Sequence, residues 1–111
     1  MATSLSGYRF LWLQVLFDLP VTSPSARKQA ADFRNYLLDH GFEMSQYSVY
    51  QRFCASREIA DKHTRHIENN LPEAGRVHIL AFTDKQYAAM VTFRGKKRNP
   101  RQKNPDQYLL F

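Results

Sequence analysis

The segment Arg9–Leu19 reads Arg-Phe-Leu-Trp-Leu-Gln-Val-Leu-Phe-Asp-Leu, and Pro20 stops it. It has the length of a strand and is apolar at nearly every position. A strand patterned this way lies at the centre of a sheet with both faces covered. A chain of 111 residues makes one domain, so the cover has to come from few elements.

Two helices are legible. Ser23 is placed to cap the first and Pro24 suits its first position, where no amide donor is needed. The spacing of Ala26, Ala30, Phe33 and Leu37 predicts one apolar stripe on a helix from Pro24 to His40, closed by Gly41. A second helix runs from Ser56 to Asn70, with Ile59, His63, Ile67 and Leu71 in one stripe and Pro72 beyond it. Between them, Phe42–Cys54 alternates as a strand but is too long for one. A break near Gln46–Ser48 divides it into two short antiparallel strands. Arg76–Thr83 reads as a buried strand, Thr83–Gln86 as a polar turn and Tyr87–Arg94 as a strand. Gly95–Gln107 is basic, contains Pro100 and Pro105, and reads as a mobile loop. Tyr108–Phe111 is apolar and suits a strand added to a sheet edge, in this subunit or a partner.

The order β–α–β(β)–α–β–β fits an α+β sandwich with two helices on one face of an antiparallel sheet. The opposite face then lacks cover, and a second subunit is the simplest candidate, so a homodimer is expected. The domain body is expected over residues 1–95, with residues 96–111 as a basic loop and terminal strand that pairs with a partner.

Composition excludes several classes. Hydrophobic residues are 43% and charged residues 23%, as in ordinary globular chains, which argues against general disorder. The apolar run Phe10–Leu13 is interrupted by Gln14, and no apolar run is long enough to span a bilayer. Met1–Tyr8 lacks the features of a secretory signal, and the single Cys54 cannot form an internal disulfide. A reducing, cytoplasmic setting is expected.

The net charge is +6, and its excess is uneven. Residues 94–111 carry six basic groups and one acid, whereas residues 1–93 carry ten basic and nine acidic groups. A basic appendage on a nearly neutral body suggests a polyanion partner, most often nucleic acid. Arg94, Lys96, Lys97 and Arg98 form one candidate contact set. Arg27, Lys28 and Arg34, on the exposed side of the first helix, form another, or else a plain solvated face. Neither set is interleaved with aromatics, so phosphate contact without base reading is expected.

Asp18 ends the first strand between Phe17, Leu19 and Pro20. It reads either as a solvated strand-end acid or as a functional carboxylate. Near a two-fold axis it would meet its symmetry mate. Two close carboxylates must share a proton or bind a cation, and oxygen ligands with retained waters suit Mg²⁺ or Mn²⁺. His63 and His66 have no accompanying zinc pattern, and Cys54 reads as a small core hydrophobe. There is no Gly-rich phosphate loop and no Gly-x-Ser-x-Gly nucleophile motif.

Three blocks carry a family resemblance: Val15-Leu16-Phe17-Asp18-Leu19-Pro20, Gly41-Phe42-Glu43-Met44-Ser45-Gln46-Tyr47-Ser48-Val49-Tyr50 and Thr83-Asp84-Lys85-Gln86. In order and spacing, residues 8–95 resemble CRISPR-associated protein two, the small spacer-acquisition subunit also described as an endoribonuclease, and the basic loop before Tyr108–Phe111 resembles type II members. The resemblance implies a ferredoxin-like βαββαβ fold with extra C-terminal strands and a homodimer. It implies that Asp18 binds a divalent metal across the dimer axis, that Tyr50 fills the family's aromatic position in the third strand, and that Arg27 matches a basic position early in the first helix. It also implies a CRISPR integrase subunit and duplex DNA as partners.

Two functions follow as expectations. One is a scaffold that holds duplex DNA and bridges integrase dimers. The other is a metal-dependent endonuclease, in particular an endoribonuclease acting on single-stranded RNA, centred on paired Asp18. A toxin-related RNase subunit of similar fold is a third, unrelated reading.

Overall fold

A computed structural model describes residues 10–99. Nine elements follow in order: β1 (Leu11–Asp18), α1 (Pro24–Asp39), β2 (Glu43–Gln46), β3 (Val49–Cys54), α2 (Arg57–Glu68), β4 (Arg76–Thr83), α3 (Asp84–Ala88), β5 (Phe93–Arg94) and β6 (Lys97–Arg98). β1 to β4 form one antiparallel sheet in the order β2-β3-β1-β4, so the apolar first strand is central. This is the α+β, ferredoxin-like arrangement expected from the sequence.

The pleat sorts β1 cleanly. Leu11, Leu13, Val15 and Phe17 point to the helices and are all buried. They share one core cluster with Phe33 and Leu37 of α1 and Ala60 and Ile67 of α2. Burying each large side chain contributes about 1.5–3 kcal/mol, which is why both helices dock on this face. The phenyl ring of Phe17 meets Phe33 edge-on at 5.3 Å and stacks on Tyr50 at 5.7 Å.

Both helices start where local chemistry asks. The Ser23 hydroxyl accepts from the Ala26 amide at 3.0 Å and the Ser56 hydroxyl from the Ile59 amide at 3.3 Å. Each such cap is worth about 1 kcal/mol. α1 gives way to Gly41 at φ +83. In α2 the buried line is Ala60, His63 and Ile67, while Ile59 and Leu71 flank it and stay partly exposed. The turn Tyr47–Ser48 separates β2 from β3, with Ser48 at φ 60, and its carbonyl accepts from the Phe17 amide at 3.0 Å.

Three expectations need correction. Thr83–Gln86 is no loose turn and Tyr87 starts no strand: Asp84–Ala88 is a helix. Thr83 accepts from the Gln86 amide at 3.0 Å and Gln86 Oε1 accepts from the Thr83 amide at 2.9 Å, a reciprocal capping box. Nor is the second sheet face wholly bare. α3 sets Tyr87 flat on Trp12, with ring centroids 4.0 Å apart and planes 11° from parallel. Trp12 Nε1 donates to Asp84 at 2.8 Å, and Gln51 Nε2 donates to the Tyr87 hydroxyl at 2.9 Å. This plug covers one end of the face.

Lys97–Arg98, expected in a loop, pairs with Phe93–Arg94 in a small hairpin. A boundary between Gly95 and Lys96 falls in its turn. The expected loop beyond Asn99, the strand Tyr108–Phe111 and the segment Met1–Arg9 lie outside the described residues.

Candidate functional site

The candidate site lies at the end of the sheet where β1 stops. Residues 12, 14, 16 and 18 alternate onto the face opposite the helices, and Asp18 is exposed there. Its cross-strand partner is Arg76, the first residue of β4. Leu16 stands opposite His78 and Gln14 opposite Leu80 in the same ladder. Leu80 is 45% exposed, so beyond the Tyr87 plug this face presents apolar groups to solvent.

The segment before β4 presses on the strand end. Gly75 has φ +99, and a Cβ there would lie 2.7 Å from the Asp18 carbonyl oxygen. Only a glycine lets the two backbones approach this closely. Asp18 is thus held at a defined place, even though its carboxylate is free in solvent. Its side chain is exposed, so its charge carries no desolvation cost despite the apolar neighbours Phe17 and Leu19.

One chain does not make a complete metal site. Among the described residues no three His, Cys, Asp or Glu side chains gather. A hydrated Mg²⁺ or Mn²⁺ generally takes one or two carboxylates, and Asp18 offers one here.

The cations divide into two groups. Arg27, in the first turns of α1, donates Nη1 to the Val21 carbonyl at 3.2 Å and so leans back toward the Asp18 end. Lys28 pairs with Asp32 at 2.9 Å, with both side chains well exposed. Such a surface pair is worth little. Arg34 is exposed farther along the helix. The other group, Arg94, Lys96, Lys97 and Arg98, is exposed on the β5–β6 hairpin, which the chain reaches only after leaving the sheet at the end away from Asp18. Arg94 and Lys97 are direct cross-strand partners. Like charges opposed in this way repel, and an anion between them relieves the repulsion.

Tyr50 is 3% exposed in the core, stacked on Phe17, and is a packing residue rather than part of an open surface. The aromatic that does project is Tyr47 of the β2–β3 turn, 94% exposed. His63 is buried against Phe42 and accepts from Arg52 Nε at 3.0 Å, so its Nε2 is unprotonated. Burial, then the Arg52 guanidinium, with His66, Lys62 and His40 adding smaller amounts, hold it below the ordinary histidine value. Cys54 is 1% exposed, and burial raises its thiol against a smaller opposing pull from Arg52. Both are core groups, as their sequence context indicated. Gly75 carried no sequence signal, because its close approach to the end of β1 exists only in the folded sheet.

A small ferredoxin-like α+β subunit, with one acid at the end of its central strand and a cationic hairpin appended, is the class that fold and site define. The family model of CRISPR associated protein Cas2 matches residues 11–90. The chain is 54% identical over 107 residues to "CRISPR-associated endoribonuclease Cas2" of Paracidovorax avenae, which covers 96% of this chain and 99% of the relative. Identity to the protein of the same name from Flavobacterium psychrophilum is 50% over 109 residues, covering 98% and 95%. The Parvibaculum lavamentivorans protein is 45% identical over 101 residues, covering 91% and 100%. The chain belongs to the Cas2 family.

Proposed function

We propose that this chain acts in the cytoplasm as a homodimer that holds duplex DNA and bridges integrase subunits as spacers enter a CRISPR array. The observation that carries this reading is the half-covered sheet face, where Leu16 and Leu80 stand in one ladder without a covering layer among the described residues. A second copy offers a matching apolar face, and two such faces bury each other. The dimer doubles the cationic hairpins, and the opposed Arg94 and Lys97 gain from phosphate between them. Arg27, Lys28 and Arg34 extend the track along α1. No helix among the described residues is long and apolar enough to cross a membrane.

A second reading concerns chemistry at Asp18. The relatives above bear the name endoribonuclease, and the exposed Asp18 supports carrying that activity over as a metal-dependent cut in single-stranded RNA. In the dimer, two Asp18 carboxylates facing one another would take Mg²⁺ or Mn²⁺, which polarises a bound water when present. The thin ligand set argues for weak binding and for the scaffold as the main role.

The test is sedimentation of the purified chain, followed by titration of duplex DNA with and without an integrase subunit. A dimer whose DNA affinity falls with log salt by about 0.9 per phosphate contacted is the expected result. Replacing Arg94, Lys96, Lys97 and Arg98 together by alanine should weaken binding at least about tenfold and flatten that slope. A monomer, or affinity indifferent to salt, refutes the proposal. Asp18→Asn separates the readings: integration persists if the scaffold acts alone, and any RNA cleavage disappears.

A further inference from the structure

Arg52 of β3 is half-buried and forms no ion pair among the described residues. Its Nε donates to His63 Nε2 at 3.0 Å and its Nη1 to the Phe53 carbonyl at 3.0 Å. Its Nη2 has no hydrogen-bond partner among the described residues. The guanidinium lies where Gly41 leaves room for it, since a Cβ there would be 3.3 Å from Arg52 Cζ and 3.4 Å from Nε. A half-buried guanidinium without a carboxylate is an unbalanced charge.

The groups around His63 are basic on every element packed there. β3 supplies Arg52, α2 supplies His66 and Lys62, and the end of α1 supplies His40. The His66 ring lies 6.4 Å from that of His63. On α2, the positions three and four away from His63 are Ile59, Ala60, His66 and Ile67, and those from His66 are Lys62, His63, Asn69 and Asn70. No acid therefore shares that helix face. Asp39 comes two residues after buried Leu37 and so lies on the solvent side of α1. Glu43 of β2 pairs with Gln51, which stands opposite Gln14, so it alternates onto the open face of the sheet. Arg52 stands opposite Leu13, on the helix side. The described histidines gather no three-ligand metal set, and a guanidinium only donates, so the cluster suits an anion.

We propose that Arg52, His63 and His66 form a binding site for a phosphate group on the helix side of the sheet. The site is separate from Asp18 and from the hairpin cations, and it does not rest on the dimer. Arg52 supplies a permanent charge and a planar fork of donors that matches phosphate. In the structure His63 Nε2 accepts from Arg52. When an anion arrives, the ring takes a proton from solvent and gives up that bond, and both Nε atoms donate to the anion. Burial, Arg52, and the neighbouring His66, Lys62 and His40 keep the ring neutral until then, so binding strengthens as pH falls. A nucleic-acid backbone and free inorganic phosphate share this chemistry, and the test separates them.

The experiment is a proton NMR titration of the full chain, following the C2 proton of His63 across the histidine range. The probe is sulfate, which mimics phosphate and stays doubly charged throughout, against sodium chloride of equal ionic strength. Sulfate should raise the His63 midpoint by about one unit, which means binding about tenfold tighter to the protonated ring. A second arm replaces sulfate by duplex DNA. A rise with both probes shows that a free anion suffices, and a rise with DNA alone assigns the phosphate to a nucleic-acid backbone. Arg52→Gln should remove the rise, and His66→Gln, at a half-buried position that tolerates change better, should cut it by about half. Equal midpoints in sulfate, chloride and DNA overturn the proposal. So does a rise of undiminished size in either variant, because the charge would then act from a distance and not from a site.

Discussion

Gly75→Ala is the sharpest probe of how the strand end is held. Two costs add. At φ +99 an alanine sits where L residues rarely go, a strain of about 1–3 kcal/mol. Its Cβ would also lie 2.7 Å from the Asp18 carbonyl oxygen, 2.8 Å from Leu19 Cδ2 and 3.1 Å from Leu19 Cα. The leucine methyl can rotate away, but the carbonyl and Cα belong to the end of β1 and cannot move without shifting the strand. Overpacking of this kind costs about 1–3 kcal/mol more. Gly95→Ala is the control, because that glycine has φ +62 but nothing within 4 Å of the added atom. It carries strain alone, about 1–2 kcal/mol. The gain from a stiffer unfolded chain is common to both variants and cancels in the comparison. Urea unfolding at fixed protein concentration, followed by the fluorescence of Trp12, the chain's one tryptophan, reads the difference. Gly75→Ala should lose about 3 kcal/mol, or roughly 12–24 °C in Tm for a domain of this size. If the two variants fall within about 0.5 kcal/mol of each other, the close approach to Asp18 is not a structural constraint and the reasoning fails.

Two further outcomes are expected. His63 is held neutral in the folded chain, so the unfolded state binds the extra proton and stability rises with pH. Its contribution is complete above the ordinary histidine value of about 6.5 and is lost as pH falls below it, so the urea midpoint should drop between pH 7 and 5. In His63→Gln that drop should shrink, and identical pH profiles would count against the assignment. Tyr87→Ala removes the ring stacked on Trp12 at 4.0 Å and the hydroxyl that accepts from Gln51. A loss of about 2–4 kcal/mol and a red shift of Trp12 emission should follow, and unchanged emission would show that α3 does not cover this face.

Much of this protein is written locally. Ser23 with Pro24, Gly41, Ser56 and the break at Tyr47–Ser48 set the limits of α1, α2, β2 and β3, because caps and turns act through residues a few positions away. The period of the apolar residues then assigned faces, and β1 was legible as the central strand because it is apolar at nearly every position. The capping box of Thr83 and Gln86 was equally local and could have revealed α3. The alternation of Ala89, Val91 and Phe93 competed with it, and what decided the matter was Tyr87 stacking on Trp12 from the far side of the chain.

Asp18 and the cationic residues were visible in the sequence as chemical types. Their surroundings were not. Tyr50 is buried because β3 pairs with β1 in the register Val15↔Tyr50, which turns it toward the helices. Arg76 stands opposite Asp18 in the ladder because β4 pairs in the register Asp18↔Arg76, across a gap in sequence that no local signal bridges. Chain order, caps and periodicity are properties of neighbours and were set by the sequence alone. Which residues stand opposite one another, and which aromatic is hidden, depend on strand register and on the close approach at Gly75, and these exist only once the sheet has formed.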